Sequence, residues 1–201
     1  MKGNSRSQAD RSASTKDALV QAARPLFAAH GFGGVSAEAI VRAAGVTRGA
    51  MYHQFDDKTA LFAAVFEAVE AEVTARIGTA VAAADSTDPL EIMKLGAGIW
   101  LDACAEPEIH RIALVEAPAA LGWERWREIG LRYGMGLVQG LIAHAISVGR
   151  IPAQPSEPLS HVMIGALDEA ALYIARSSDS ALARREVGDV IDRLVDSLAA
   201  D

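Results

Sequence analysis

Residues 36–61, SAEAIVRAAGVTRGAMYHQFDDKTAL, read as two short helices joined by a glycine turn, with polar residues gathered where the second helix begins. Ser36 is placed to cap the first helix, Ile40, Val41 and Ala44 give it a buried stripe, and Gly45 stops it in left-handed geometry. Thr47 caps the next helix. Met51 and Phe55 stand four apart and turn inward, which leaves Arg48, Gly49, Tyr52, His53 and Gln54 on the opposite face. A short helix with that exposed face fits the major groove of duplex DNA.

Duplex DNA offers phosphates that position a protein and base edges that instruct it, and the residues sort into those two tasks. The free N–H groups at the starts of the second and fourth helices, the second beginning at Ala37, suit phosphate, as do Ser36, Thr47, Tyr52, Gln54 and the ammonium of Lys58. Arg48 suits a bidentate contact with guanine, worth ~1–3 kcal/mol of discrimination at one base pair. Gly49 and Ala50 let the helix backbone approach, Ala50 is placed for a thymine methyl, and His53 for a phosphate or a base. Each has a plainer alternative. Tyr52 would cover the small helical core, Lys58 would cap a helix or pair with Asp56 or Glu38, and Thr47 would cap its helix with or without DNA. Glu38 would repel a nearby phosphate, favour its own helix end, or read cytosine.

The run AGVTRGAMYHQFDDKTAL, residues 44–61, resembles the signature of the TetR-type one-component transcriptional repressors. The matching positions are Ala44, Gly45, Val46, Thr47, Gly49, Tyr52, Phe55, Lys58 and Leu61. The LFAAHGF run of residues 26–32 resembles the end of that family's first helix, so the resemblance spans residues 14–66. It implies the same DNA-contacting roles at these positions, a dimer, and a carboxy-terminal half that senses a small molecule.

The rest of the chain bounds the reading. With 201 residues and 51% hydrophobic content it can bury a substantial core. Cys104 is the only cysteine, which excludes an intrachain disulfide and suits a reducing cytoplasm. The opening MKGNSRSQADRSAST lacks the apolar block of a signal peptide, and no apolar run is long enough to span a bilayer, so a cytoplasmic protein without membrane contact is expected. The net charge of -7 is unevenly spread: residues 1–60 hold eight Lys/Arg against five Asp/Glu, the remainder eleven against twenty-one. A basic head on an acidic body orients the head toward a polyanion, although so small a surplus is also ordinary surface variation.

The pattern predicts an all-α chain with no β-like alternation. Residues 1–13 read as a disordered basic arm, 14–60 as the helix-turn-helix domain and 61–201 as a helical ligand-binding and dimerisation domain. The first helix is expected over 15–30, with a kink or broken turn at Pro25. Gly31, Gly33 and Gly34 make the turn after it. A long fourth helix runs from about Asp57 to Ala83 and carries the reading head toward the body. Further helices are expected at about 88–104, 106–116, 122–148, 157–177 and 181–199, separated by EP, APAALG, RIPAQPSEP and SSDSA.

One recognition helix covers too few base pairs for specificity, so two copies about a two-fold axis are the physical expectation. Apolar stripes on the last two helices, Ile164, Leu167, Ala171 and Ile174 with Val190, Leu194 and Leu198, form either a dimer seam or packing inside one subunit. Glycines at 96, 98, 130, 134, 136 and 140 interrupt two body helices, which calls for close helix approach or open space. Trp100, Cys104, His110, Leu114, Trp126, Gly130, Tyr133, Met163 and Leu167 are the candidate walls of an apolar cavity, with core packing as the plainer role of each.

Chemistry beyond binding finds little support. Glu106 with His110, and Glu157 with His161, have metal-compatible helical spacing but read better as solvated helix ends. Cys104 has no basic partner, and no serine sits in a Gly-x-Ser-x-Gly turn. No metal, cofactor or catalytic residue is assigned. The expectation is a homodimeric repressor that binds a palindromic double-stranded DNA operator and is released by a small lipophilic effector. The alternatives are a non-specific architectural DNA binder and a helical ligand-binding protein or enzyme.

Overall fold

In the computed structural model, which describes residues 8–200, every regular element is a helix. The amino-terminal bundle comprises α1 (Gln8–Gly34), α2 (Ala37–Ala44) and α3 (Arg48–Gln54), followed by the long α4 (Lys58–Ala82). The body adds α5 (Pro89–Ala105), α6 (Pro107–Ile109), a π-helical segment (His110–Glu116), α7 (Ala117–Leu121), α8 (Trp123–Ser147), α9 (Ser156–Arg176) and α10 (Ser180–Asp196).

The expected arm ends earlier than its composition suggests. Residues 8–13 extend α1, and positions 1–7 lie outside the described residues. Nor does Pro25 break α1. The proline removes only one donor, for the carbonyl of Gln21, and both residues lie on the exposed side of the helix, where losing a rung costs least. Opposite them Leu19, Ala23 and Phe27 are fully buried and hold the helix line. The break comes at Gly31 (φ 70°, ψ 170°), a region essentially confined to glycine.

Local chemistry sets the other boundaries. Ser36 Oγ accepts from Ala39 N at 3.1 Å, Thr47 Oγ1 from Ala50 N at 3.1 Å, and Asp57 Oδ1 from Ala60 N at 2.7 Å, so α2, α3 and α4 each begin on a side-chain cap. Gly45 closes α2 at φ 66°. Phe27, Phe32 and Phe62 form an aromatic cluster, with edge contacts of 4.9 and 5.3 Å between ring centroids, that fixes α1 against α4. The apolar stripe of α4, from Leu61 through Phe66, Val69 and Val73 to Ile77, makes one core continuous from the bundle into the body. At a rise of ~1.5 Å per residue α4 is a rod of roughly 40 Å.

The APAALG stretch, expected as a separator, folds as α7. Before it the chain widens into π geometry, with Ala117 N bonded to Ile112 O five residues back. Pro118 follows at once and cannot donate to Leu114, so the wider register meets a position where the α ladder already lacks a rung.

Candidate nucleic-acid interface and interior cavity

The α2–turn–α3 unit hangs on three buried anchors, Ile40, Met51 and Phe55. With these inward, Ser36, Thr47, Arg48, Gly49, Tyr52 and His53 are exposed, and Ala37 and Ala50 half-buried. The Arg48 guanidinium is not idle. It pairs with Glu38 across the two helices and lies 5.5 Å from the centre of the Tyr52 ring. Both partners of that ion pair are largely exposed, so solvent screens it and a phosphate or base edge competes for the same donors.

Two candidates are occupied in ways the periodicity did not reveal. Lys58 Nζ donates to the carbonyls of Phe32 (2.9 Å) and Val35 (3.0 Å) and sits 4.1 Å from the Phe32 ring centre. It pairs with neither Asp56 nor Glu38. Two of the three ammonium protons therefore close the α1–α2 connection, leaving at most one for a phosphate. Gln54 Nε2 donates to Ser12 Oγ at 2.8 Å, tying the end of α3 to the start of α1.

In the body, α4, α5, α8 and α9 enclose a cavity of about 100 Å³, with the π segment closing one side. Of the expected walls, Trp100, Leu114, Trp126, Gly130, Met163 and Leu167 line it. Cys104, His110 and Tyr133 do not. Cys104 is 3% exposed in the core, where burial pushes its thiol well up, and Tyr133 packs at the core margin. Gly130 and Gly134 face the cavity with nothing within 4 Å of where a Cβ would stand, so here the glycines leave space. At Gly96 the other explanation holds, because Ile77 comes within 3.4 Å of that point.

The polar walls went unnoticed in the sequence. They are Glu70 and Thr74 from α4, Arg127 from α8 and Asp168 from α9. Arg127 is ion-paired with Asp168 and Trp126 Nε1 donates to Ala113 O at 2.8 Å. Glu70 is 5% exposed and hydrogen-bonded to nothing among the described residues. Burial, reinforced by the charge of Asp168, raises its carboxyl to about 8. Asp168 is raised to about 6 by burial, with Arg127 opposing the shift. Glu70 was visible in principle, since it stands four residues after Phe66 on the otherwise apolar buried stripe of α4.

Head and body meet at Phe32. Its N–H donates to Glu116 Oε2 at 2.9 Å, and its carbonyl takes the Lys58 ammonium. Glu116 ends the π segment whose Ala113 and Leu114 line the cavity. Arg24 of α1 adds ion pairs to Glu72 of α4 (2.6 Å) and Glu108 of α6 (3.0 Å).

Of the two roles open to the apolar stripes of α9 and α10, packing inside one subunit takes most of them. Ile164, Ala171 and Ile174 are at most 8% exposed within one subunit, packed against α5 and α8, and Leu167, Leu194 and Leu198 are half-buried. Only Val190 faces outward. The apolar side chains that α9 and α10 do expose are Val162, Tyr173, Leu182 and Val190, and the spacing of eleven residues puts Val162 and Tyr173 on one face. Periodicity finds an apolar stripe but does not say which neighbour covers it. Among the described residues no helix is long and apolar enough to cross a membrane.

Known family models match two separate stretches of the chain. Residues 19–65 match the model for bacterial regulatory proteins of the tetR family, and residues 90–198 that for the tetracyclin repressor-like carboxy-terminal domain. The chain is 28% identical over 162 residues to the transposon Tn10 TetC protein of Escherichia coli, covering 81% of each. It is similar to the crystal structure of a TetR-family transcriptional regulator from Pectobacterium atrosepticum, with a TM-score of 0.85, 29% identity and 98% and 99% of the two chains covered. The fold is shared with RolR in complex with its ligand resorcinol, with a TM-score of 0.75, 20% identity and 93% and 90% coverage.

Proposed function

The chain belongs to the TetR family of bacterial transcriptional regulators, and we propose that it is a ligand-responsive repressor that holds a palindromic operator as a homodimer and lets go when a small lipophilic molecule enters the body. The observation that carries this reading is the span of α4, which starts at Lys58 beneath the reading head and supplies Phe66, Glu70, Thr74 and Ile77 to the cavity. A ligand that moves this wall moves the base of the head.

The reading assigns Arg48, Gly49, Ala50 and His53 to base edges and nearby phosphates, and Ser36, Ala37, Thr47 and Tyr52 to the backbone. Gln54 and Lys58 act mainly by holding the head in shape. The dimer forms through the outward faces of α9 and α10, with the residues at 14–60 reading DNA and those at 61–201 sensing and pairing. Release follows from a population shift. The ligand prefers subunits whose recognition helices are spaced wrongly for two half-sites, and a coupling of ~1–3 kcal/mol is typical.

Selection of bound duplexes from a random pool tests this directly. A palindromic consensus whose half-sites lie about one helical turn apart is expected, with retention lost when a suitable lipophile is added. If scrambled duplexes compete as well as the selected one, the protein is an architectural binder. If no duplex is retained at moderate salt, the regulator reading of this chain's chemistry fails.

A further inference from the structure

We propose that the molecule recognised in the cavity is a lipophilic amine, bound as its ammonium by the Glu70 carboxylate against the aromatic walls. The inference rests on the reading of the cavity as an effector site and adds the charge of the effector.

Three observations on the cavity converge. Glu70 is buried on all sides but the cavity it lines, and it has no hydrogen-bond partner among the described residues. Buried carboxyls without partners are costly, so a group of this kind is matched either by the protein or by what the protein binds. The only cation among the described walls, Arg127, is already committed to Asp168. An anionic ligand would thus meet two acids and one neutralised base. A cationic one finds a carboxylate with free acceptors, and a charge-assisted bond there is roughly twice as strong as a neutral one.

The remaining walls suit the same ligand. Phe66, one turn before Glu70, and Trp100 of α5 and Trp126 of α8 line the same cavity, which gives aromatic surface for the carbon skeleton and the cation. Trp100 Nε1 is buried with no acceptor. Gly130 and Gly134 leave room for the skeleton.

Charge makes the binding depend on pH. Glu70 is faced by Asp168 from α9, which raises it, and lies within electrostatic reach of Cys104 from α5 and Tyr133 from α8, while Arg127 is spent on Asp168. Glu70 titrates at about 8, so at neutral pH it is mostly protonated and must give up a proton to bind an ammonium. Affinity should then climb by up to about tenfold per pH unit below that value, and level off above it until the amine itself deprotonates.

The test uses the full-length protein and three matched probes, naphthyloxyethylamine, naphthyloxyethanol and naphthyloxyacetate, in titration calorimetry. The amine is expected to bind at least about tenfold more tightly than the alcohol, and the acetate least. In buffers of different ionisation enthalpy, amine binding should release close to one proton at neutral pH and alcohol binding none. Glu70→Gln should abolish both the preference and the release while keeping alcohol affinity, which also reports that the variant is folded. Equal affinity for amine and alcohol, or amine binding without proton release by the unaltered protein, overturns the amine assignment and leaves the cavity reading intact. If none of the three binds, the cavity reading itself falls, and this inference with it.

Discussion

Glu70 places a titrating group inside the core, and its effect on stability has a definite sign. Its carboxyl is raised from an ordinary value near 4.5 to about 8 in the fold, so between those values the folded chain holds a proton that the unfolded chain has lost. Stability contributed by this residue therefore falls as pH rises through that window. Glu70→Gln mimics the protonated form at every pH. Its melting temperature should match the parent near pH 5 and exceed it near pH 8, the gap widening in between. A constant gap across that range would show that Glu70 is ionised throughout. At the reading head the weighing is different, because Arg48 and Glu38 are exposed and their pairing is worth little in water. Glu38→Gln should raise affinity for all duplexes alike, since it removes a negative charge beside phosphates and frees the guanidinium. Arg48→Ala should flatten preference at one base pair by ~1–3 kcal/mol in a competition assay over single-substituted operators.

At the scale of elements, the junction at Phe32 decides whether head and body move as one. Gly31 gives that junction its shape: its backbone lies where side chains are rarely tolerated, and a Cβ there would clash with Glu116 Oε1. Gly31→Ala should cost ~1–3 kcal/mol in urea unfolding from backbone strain alone, with more from the displaced Glu116. Lys58→Met should behave similarly, because two carbonyls lose their donor, while the salt dependence of DNA binding changes little; a slope reduced by a full charge would instead put the ammonium on phosphate. These elements differ in how far sequence betrays them. The caps at Ser36, Thr47 and the stop at Gly45 are settled within four residues, so they were legible. The π segment and the use of Lys58 depend on contacts across tens of residues, and nothing in local spacing records them. The same holds for the cavity: its glycines and tryptophans stood out by type, but the Arg127–Asp168 pair that neutralises one side became visible only when α8 met α9.

For the whole molecule, the decisive quantity is the separation of two recognition helices, which exists only if two subunits pair in a fixed geometry. The apolar periodicity of α9 and α10 picked out a stripe in which Ile164, Ala171 and Ile174 are consumed by packing inside the subunit. What remains for a partner is Val162, Tyr173, Leu182 and Val190, of which Val162, Tyr173 and Val190 are more than half exposed. Exposed large apolar side chains gathered on two adjacent helices favour burial against a like surface, and a two-fold axis uses each twice. Introducing charge there sets two unscreened carboxylates against their symmetry mates without disturbing the core. Tyr173→Glu with Val190→Glu should therefore give a folded monomer in sedimentation equilibrium, with unchanged helical content. Its affinity for a single half-site should be preserved while cooperative occupation of the full palindrome is lost. Ile164→Ala should do the reverse, lowering unfolding stability by ~2–5 kcal/mol and leaving the dimer in place. A doubly charged variant that still sediments as a dimer would move the seam to another face, and with it the spacing that the operator must match.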